Sequence, residues 1–310
     1  VHHDLWDYDN ASPPALFTIT RNGQRIPVVA QANKSGQLYV LHRETGRPVF
    51  PISERSVPQS DVPGERSSPT QPFSSIEPLS PQRFELSSLS ALDSVSRAYC
   101  TQRLTGLRNE GVFTPISLRG TIMFPSNIGG AHWGGVAYDA GREVVVVPVN
   151  TAVAVARLIP EAEFIADSAR ADGSRTGAQY TRMRGTPYWM RREIVRAPRG
   201  LCTPPPLGLL VGVSMKTGRK VWETPLPTPN LGGAIVTAGG LVFFGGTADK
   251  RLRAFDVVTG KELWSAELPA GGKATPMTYV YRGKQYVVIA AGGDGEFFGA
   301  SDALIAFALP

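Results

Sequence analysis

Short apolar runs alternate with glycine-rich, polar turns along most of this chain. Arg25–Ala30, Gly36–Leu41, Gly120–Phe124, Val136–Tyr138, Glu143–Val147, Leu207–Val213, Leu241–Phe244 and Gln285–Ala290 are of strand length. Runs of this size bounded by turn signals predict β-strands. Arg282-Gly283-Lys284 supplies a hairpin turn, and Ala303–Leu309 reads as a closing strand. The texture changes from Val57 to Pro81, where six prolines mark an extended insertion. Leu86, Leu89, Leu92, Val95 and Tyr99 then recur at spacings of three and four, which predicts an amphipathic helix over Ser87–Leu104.

A repeat organises the strands. Ser214-Met-Lys-Thr-Gly-Arg-Lys-Val-Trp222 is followed by Ala254-Phe-Asp-Val-Val-Thr-Gly-Lys-Glu-Leu-Trp264, and Gly218 and Gly260 lie 42 residues apart. A weaker copy, Tyr39 to Phe50, carries Phe50 in place of tryptophan. Each copy is a strand, a Thr-Gly turn and a second strand entered by an aromatic residue. That period is one four-stranded propeller blade. The predicted fold is an all-β propeller with tryptophan-docking repeats, about four to five blades, as one domain over 1–310. Insertions fall at about 57–110 and 161–206.

Composition changes this picture little. With 33 Gly and 26 Pro the chain is turn-rich, and 42% apolar residues suit a folded domain. The net charge of +6 gathers in Arg170, Arg175, Arg182, Arg184, Arg191, Arg192, Arg196 and Arg199, among Tyr180, Tyr188 and Trp189. No nucleic-acid-binding motif accompanies them, and Pro187, Pro198 and Gly200 predict a long solvated loop. No nucleic-acid partner is expected. Cys100 and Cys202 match no metal motif; they either pair in an oxidising compartment or stand as two buried thiols. The longest apolar run, Val144–Leu158, is too short and broken to span a bilayer.

The opening Val1-His-His-Asp-Leu-Trp-Asp7 resembles the active-site motif of quinoprotein dehydrogenases, most of all the membrane-bound glucose dehydrogenase branch. Gln31-Ala-Asn-Lys-Ser-Gly36, Val57-Pro-Gln59, Ser68-Pro-Thr-Gln-Pro-Phe73, Trp133-Gly-Gly135 and Ala270–Tyr279 resemble the same branch. The resemblance implies part of an eight-bladed propeller, with the N-terminal half supplied from outside this chain. It also implies pyrroloquinoline quinone (PQQ) as cofactor, a bound Ca2+ or Mg2+, a sugar, polyol or cyclic alcohol as substrate, and a membrane quinone as acceptor. The periplasmic face of the inner membrane is the implied location, with attachment through N-terminal helices beyond this chain.

Such a reaction needs a base for the hydroxyl proton, and cations for the charge developing on the quinone. By resemblance, Asp7 is the catalytic base and also adjoins the metal. Lys34, 27 residues on, is the cation facing the quinone oxygens. Relatives place an asparagine in the strand after Trp-Gly-Gly, where this chain has Pro148; either Asn150, on the same face of an extended strand, substitutes as the cofactor contact, or that contact is lost. Trp133 and His132 either line the pocket or are a core tryptophan beside a surface histidine. His2 and His3 are adjacent, so a strand sends them to opposite faces. Asp294, in Gly292–Glu296, reads as a blade connection. The rival reading is a non-catalytic propeller scaffold, which has no reason to carry the Asp7 motif together with Lys34.

Overall fold

The computed structural model describes residues 1–170, 177–295 and 297–309; Arg175 of the basic stretch and Glu296 of the glycine-rich loop lie outside the described residues. Four antiparallel sheets succeed one another as blades. The first holds Ala15–Arg21, Gln24–Ala32 and Leu38–His42, and a Leu41–Pro48 bridge extends its edge. The second orders Ala137–Asp139, Val144–Asn150, Gly208–Ser214 and Lys220–Leu226. The third orders Ala234–Val236, Leu241–Phe244, Arg251–Asp256 and Glu262–Glu267. The fourth holds Met277–Tyr281, Lys284–Gly293 and Ala300–Ala308, with Asp294 in the last connection. This is the propeller architecture that the repeat predicts.

Blades stack face to face, and a central strand of the second blade, Val144–Asn150, is buried along its whole length. Val145, Val147 and Val149 pack toward Val28, Ala30 and Val40 of the first blade. Val144 and Val146 pack toward Val242, Phe244 and Phe255 of the third. Leu252, Val287 and Ile289 join the third blade to the fourth.

The repeat's turn and aromatic residue fit together across two of the seams. Trp222 is buried, its Nε1 donates to the Val257 carbonyl at 2.9 Å, and its ring covers Gly260. Gly260 has φ +69°, and a Cβ there would lie 2.5 Å from the indole, so both the turn and the contact demand glycine. Phe50 lies against Gly218 in the same way.

A fifth sheet, of four strands, stands beside the blades. It orders Thr121–Met123, Ala154–Pro160, Tyr188–Ile194 and Gln179–Arg182, so the chain leaves this sheet, builds half of the second blade, and returns. The basic stretch predicted as a loop is therefore largely a hairpin. Its arginines hide a period of two: Tyr188, Met190 and Ile194 pack on the cluster holding Phe113 and Leu158, while Glu193 is buried among Arg103 and Arg191. Side-chain polarity masked the strand.

The first insertion contains a hairpin, Ile52–Ser56 with Thr70–Ser74. The predicted helix is split into a 3-10 turn at Leu86–Ala91 and an α-helix at Ser94–Leu104. Asp93 causes the break, because its carboxylate accepts from the Val95 and Ser96 amides as an N-cap. The buried face is Ser96, Cys100 and Leu104, leaving Val95 and Tyr99 exposed. Cys100 forms a disulfide with Cys202, 102 residues away, which fixes that face against the fifth sheet. Closing so long a loop restrains the unfolded chain strongly. Replacing both cysteines by serine is expected to cost about 2–5 kcal/mol. A lowered urea midpoint would show it; an unchanged midpoint would mean that sheet packing alone holds the helix. Among the described residues, no helix is long and apolar enough to cross a membrane.

Candidate active site

The N-terminal segment aims Asp7 outward by burying its neighbours. Trp6 is 2% exposed and donates from Nε1 to the Thr114 carbonyl at 2.7 Å; Tyr8 is fully buried and donates to the Pro125 carbonyl. With both aromatic rings held inside, Asp7 stands on the surface at φ +66°, a left-handed conformation that aspartate tolerates better than most residues.

Lys34 occupies the turn between two strands of the first blade, where Gly36 at φ +79° donates its amide to the Asn33 carbonyl. The lysine is 4% exposed. Its stem lies along Gly129, where a Cβ would come within 2.5 Å of the lysine Cγ. Its ammonium lies between Asp7 Oδ1 at 3.1 Å and Asp9 Oδ1 at 2.6 Å. Trp133 completes the group: its ring centroid is 5.1 Å from the ammonium, and the residue is 53% exposed. Burial pushes the Asp9 carboxyl up, but the hydrogen bond and charge of Lys34 outweigh this and hold it below its ordinary value.

The structure thus brings Asp7, Lys34 and Trp133 together and adds Asp9. Asn150 lies behind them. It is 1% exposed, with Nδ2 donating to the Asn230 carbonyl at 2.9 Å and Oδ1 accepting from the Asn230 amide at 2.8 Å. Its backbone reaches the cluster through Gly130, which accepts from the Asn150 amide and donates to the Lys34 carbonyl. His132 is buried, with Nε2 bonded to Asn230 Oδ1 at 2.7 Å, and Trp133 is the exposed partner. That inverts the reading of a core tryptophan beside a surface histidine. His2 bonds Glu54 at 2.9 Å.

Asp9 had a legible signal, being two residues from Asp7 on the same segment. Asn230 had none: it lies 80 residues from Asn150 and its neighbours read as a turn. Two clefts are lined mainly by segments around 73–88, 203–209 and 217–223, and neither includes Asp7, Lys34 or Trp133. The polar cluster, not cleft volume, marks the candidate site.

A planar, anionic quinone fits what is present. One ammonium is held beside a half-exposed indole, and a glycine loop allows close approach. A divalent ion does not fit by itself. Hard cations take six to eight oxygen ligands, whereas Asp7 and Asp9 offer two carboxylates already paired with Lys34. Among the described residues, no three His, Cys, Asp or Glu side chains converge.

Comparison with known proteins accords with this geometry. Residues 1–287 match the family described as PQQ: Glucose/ethanol/alcohol dehydrogenase, beta-propeller domain. Over its whole length the chain is 40% identical to quinoprotein glucose dehydrogenase A of Acinetobacter calcoaceticus and 37% identical to quinoprotein glucose dehydrogenase of Escherichia coli (strain K12), covering 42% of each. It is 34% identical to quinate/shikimate dehydrogenase (quinone) of Acinetobacter baylyi, covering 41% of that protein. The quinohemoprotein alcohol dehydrogenase from Comamonas testosteroni superposes with a TM-score of 0.57 at 22% identity, over 93% of this chain and 35% of that one, which supports the fold. This chain belongs to the PQQ-dependent dehydrogenase β-propeller family, and spans under half the length of the quinoprotein relatives it matches.

Proposed function

We propose that this chain supplies the base and the quinone-facing cation of a dehydrogenase that oxidises a sugar, polyol or cyclic alcohol. Electrons pass to a membrane quinone at the periplasmic face. The observation that carries this reading is the buried Lys34, whose ammonium lies between Asp7 and Asp9 and against the face of Trp133. A scaffold has no use for a desolvated cation built this way.

PQQ, when bound, would supply the electron sink for the hydride leaving the substrate carbon. Asp7 takes the hydroxyl proton, and its ion pair with Lys34 fixes the carboxylate where that proton is delivered. Lys34 would oppose negative charge on the quinone oxygens, and its buried stem would limit reorganisation. Trp133 offers a flat apolar face for the planar ring. Asn150 braces the loop that carries it. For any Ca2+ or Mg2+, Asp7 would be one ligand, with the others from outside this chain.

Titrating PQQ into the full-length protein tests this assignment. Lys34→Gln is expected to weaken binding about 10- to 100-fold, the loss of one charge-assisted contact. Unchanged affinity would remove Lys34 from the cofactor site. A wild-type protein that binds no PQQ would overturn the reading altogether.

A further inference from the structure

The loop that presents Trp133 is built from Gly129, Gly130, Ala131, His132, Trp133, Gly134 and Gly135, four glycines in seven residues. Such a segment has little conformational preference of its own. Trp133 is half exposed, so its own packing does not set its position. The loop is instead tied down at its backbone and at one side chain. Gly130 donates to the Lys34 carbonyl at 2.7 Å, and Ala131 bridges Val149. His132 provides the side-chain tie, to the Pro229-Asn230 turn that opens the next blade.

The polar partners determine the state of this imidazole. Asn230 Nδ2 donates to the Val149 carbonyl at 2.9 Å, which fixes the orientation of its amide and makes Oδ1 the acceptor. His132 Nε2 must therefore carry a hydrogen and donate at 2.7 Å. His132 Nδ1 must be bare, because the Gly134 amide donates to it at 3.2 Å. Both ring nitrogens are used, one toward each side. A second proton would set an N–H against the Gly134 N–H. Burial also opposes it, pushing the imidazole pKa down to about 4.

We propose that His132 is a positioning residue for the cofactor face: locked as the Nε2–H tautomer between Asn230 and the Gly134 amide, it sets the Trp133 indole over the Lys34 ammonium. This rests on the dehydrogenase reading, and it gives Asn230 a role in the site from the neighbouring blade. Acting only through Trp133, His132 matters just as far as that ring does.

A double-mutant cycle in the full-length protein tests this, with PQQ affinity and kcat/KM as readouts. His132→Phe is expected to weaken PQQ binding about tenfold, and to add almost nothing in a Trp133→Phe background, because contacting residues couple. His132→Gln, whose amide can still donate to Asn230, is expected to recover most of the affinity. Should His132→Phe fail to fold, His132→Ala and Trp133→Phe form the same cycle. Additive losses, or binding unaffected by His132→Phe, would overturn the proposal while leaving the dehydrogenase reading intact. A wild-type protein that binds no PQQ would sink both, and is seen before any variant is made.

Discussion

Asp7→Asn is expected to lower turnover by about 10²- to 10⁴-fold, the usual worth of a general base, while PQQ binding stays within about twofold. The substitution is nearly isosteric. Lys34 keeps Asp9 at 2.6 Å, so the ammonium does not lose its counter-charge when Asp7 does. Trp6 and Tyr8 on either side remain anchored to the Thr114 and Pro125 carbonyls, so the segment keeps its course. The proton acceptor disappears, while the amide oxygen of the variant can still ligate a metal. Asp9→Asn is the informative companion, since Asp9 is nearer the ammonium but lies outside the motif that points to Asp7. It is expected to have the smaller effect on kcat. Should Asp9→Asn abolish turnover and Asp7→Asn spare it, the base would be Asp9. Loss of PQQ binding in Asp7→Asn would mean that Asp7 holds the cofactor or its metal rather than the proton.

Trp222→Ala is expected to cost about 3–5 kcal/mol, the range for truncating a buried aromatic residue. The ring fills the seam between two blades, bonds Val257, and covers a glycine that leaves no other filling atom. Trp264 occupies the corresponding place one blade on, yet it is 41% exposed and touches Phe307 edge-on at 5.3 Å. Trp264→Ala is expected to cost under about 1 kcal/mol, because much of its surface stays in water in either state. Urea unfolding of the 310-residue chain measures both. Equal losses would mean that the motif acts through its own hairpin and not through docking on the next blade.

These two residues also show how far the repeat could be read. The Thr-Gly turn and its aromatic partner are visible as a spacing, and the propeller follows from them. Whether a given tryptophan is covered depends on the blade beside it, which the spacing does not describe. The same limit applies to Lys34. Its place 27 residues after Asp7 marks it by resemblance, but a lysine before Ser-Gly ordinarily reads as a solvated turn. Burial of its stem comes from Gly129, 95 residues away in the chain, which has no side chain to exclude it.

The prediction of a long basic loop failed for a related reason. Arginine stems can lie along an apolar surface while their charges reach partners, so a strand rich in arginine loses its polar alternation on paper. Pairing of Tyr188–Ile194 with Ala154–Pro160 restores it. The helix was misjudged by one face because the leucine spacing continued through Asp93, a residue that stops a helix by capping the next one.

By itself the sequence determined what depends on near neighbours: strand lengths from alternation, glycine turns from the φ they require, the blade period from two copies of one hairpin. It also carried the Asp7 and Lys34 motifs that place the chain in its family. The tertiary structure decided what depends on which distant segments meet. It returned the chain from the second blade to the fifth sheet, joined Cys100 to Cys202, set Asp9 beside Asp7 on one ammonium, and bonded His132 to Asn230 across 98 residues. The physical reason is that turn geometry and side-chain period act over a few residues. Long-range partners are chosen by the burial of whole sheets, which leaves no mark at any one position.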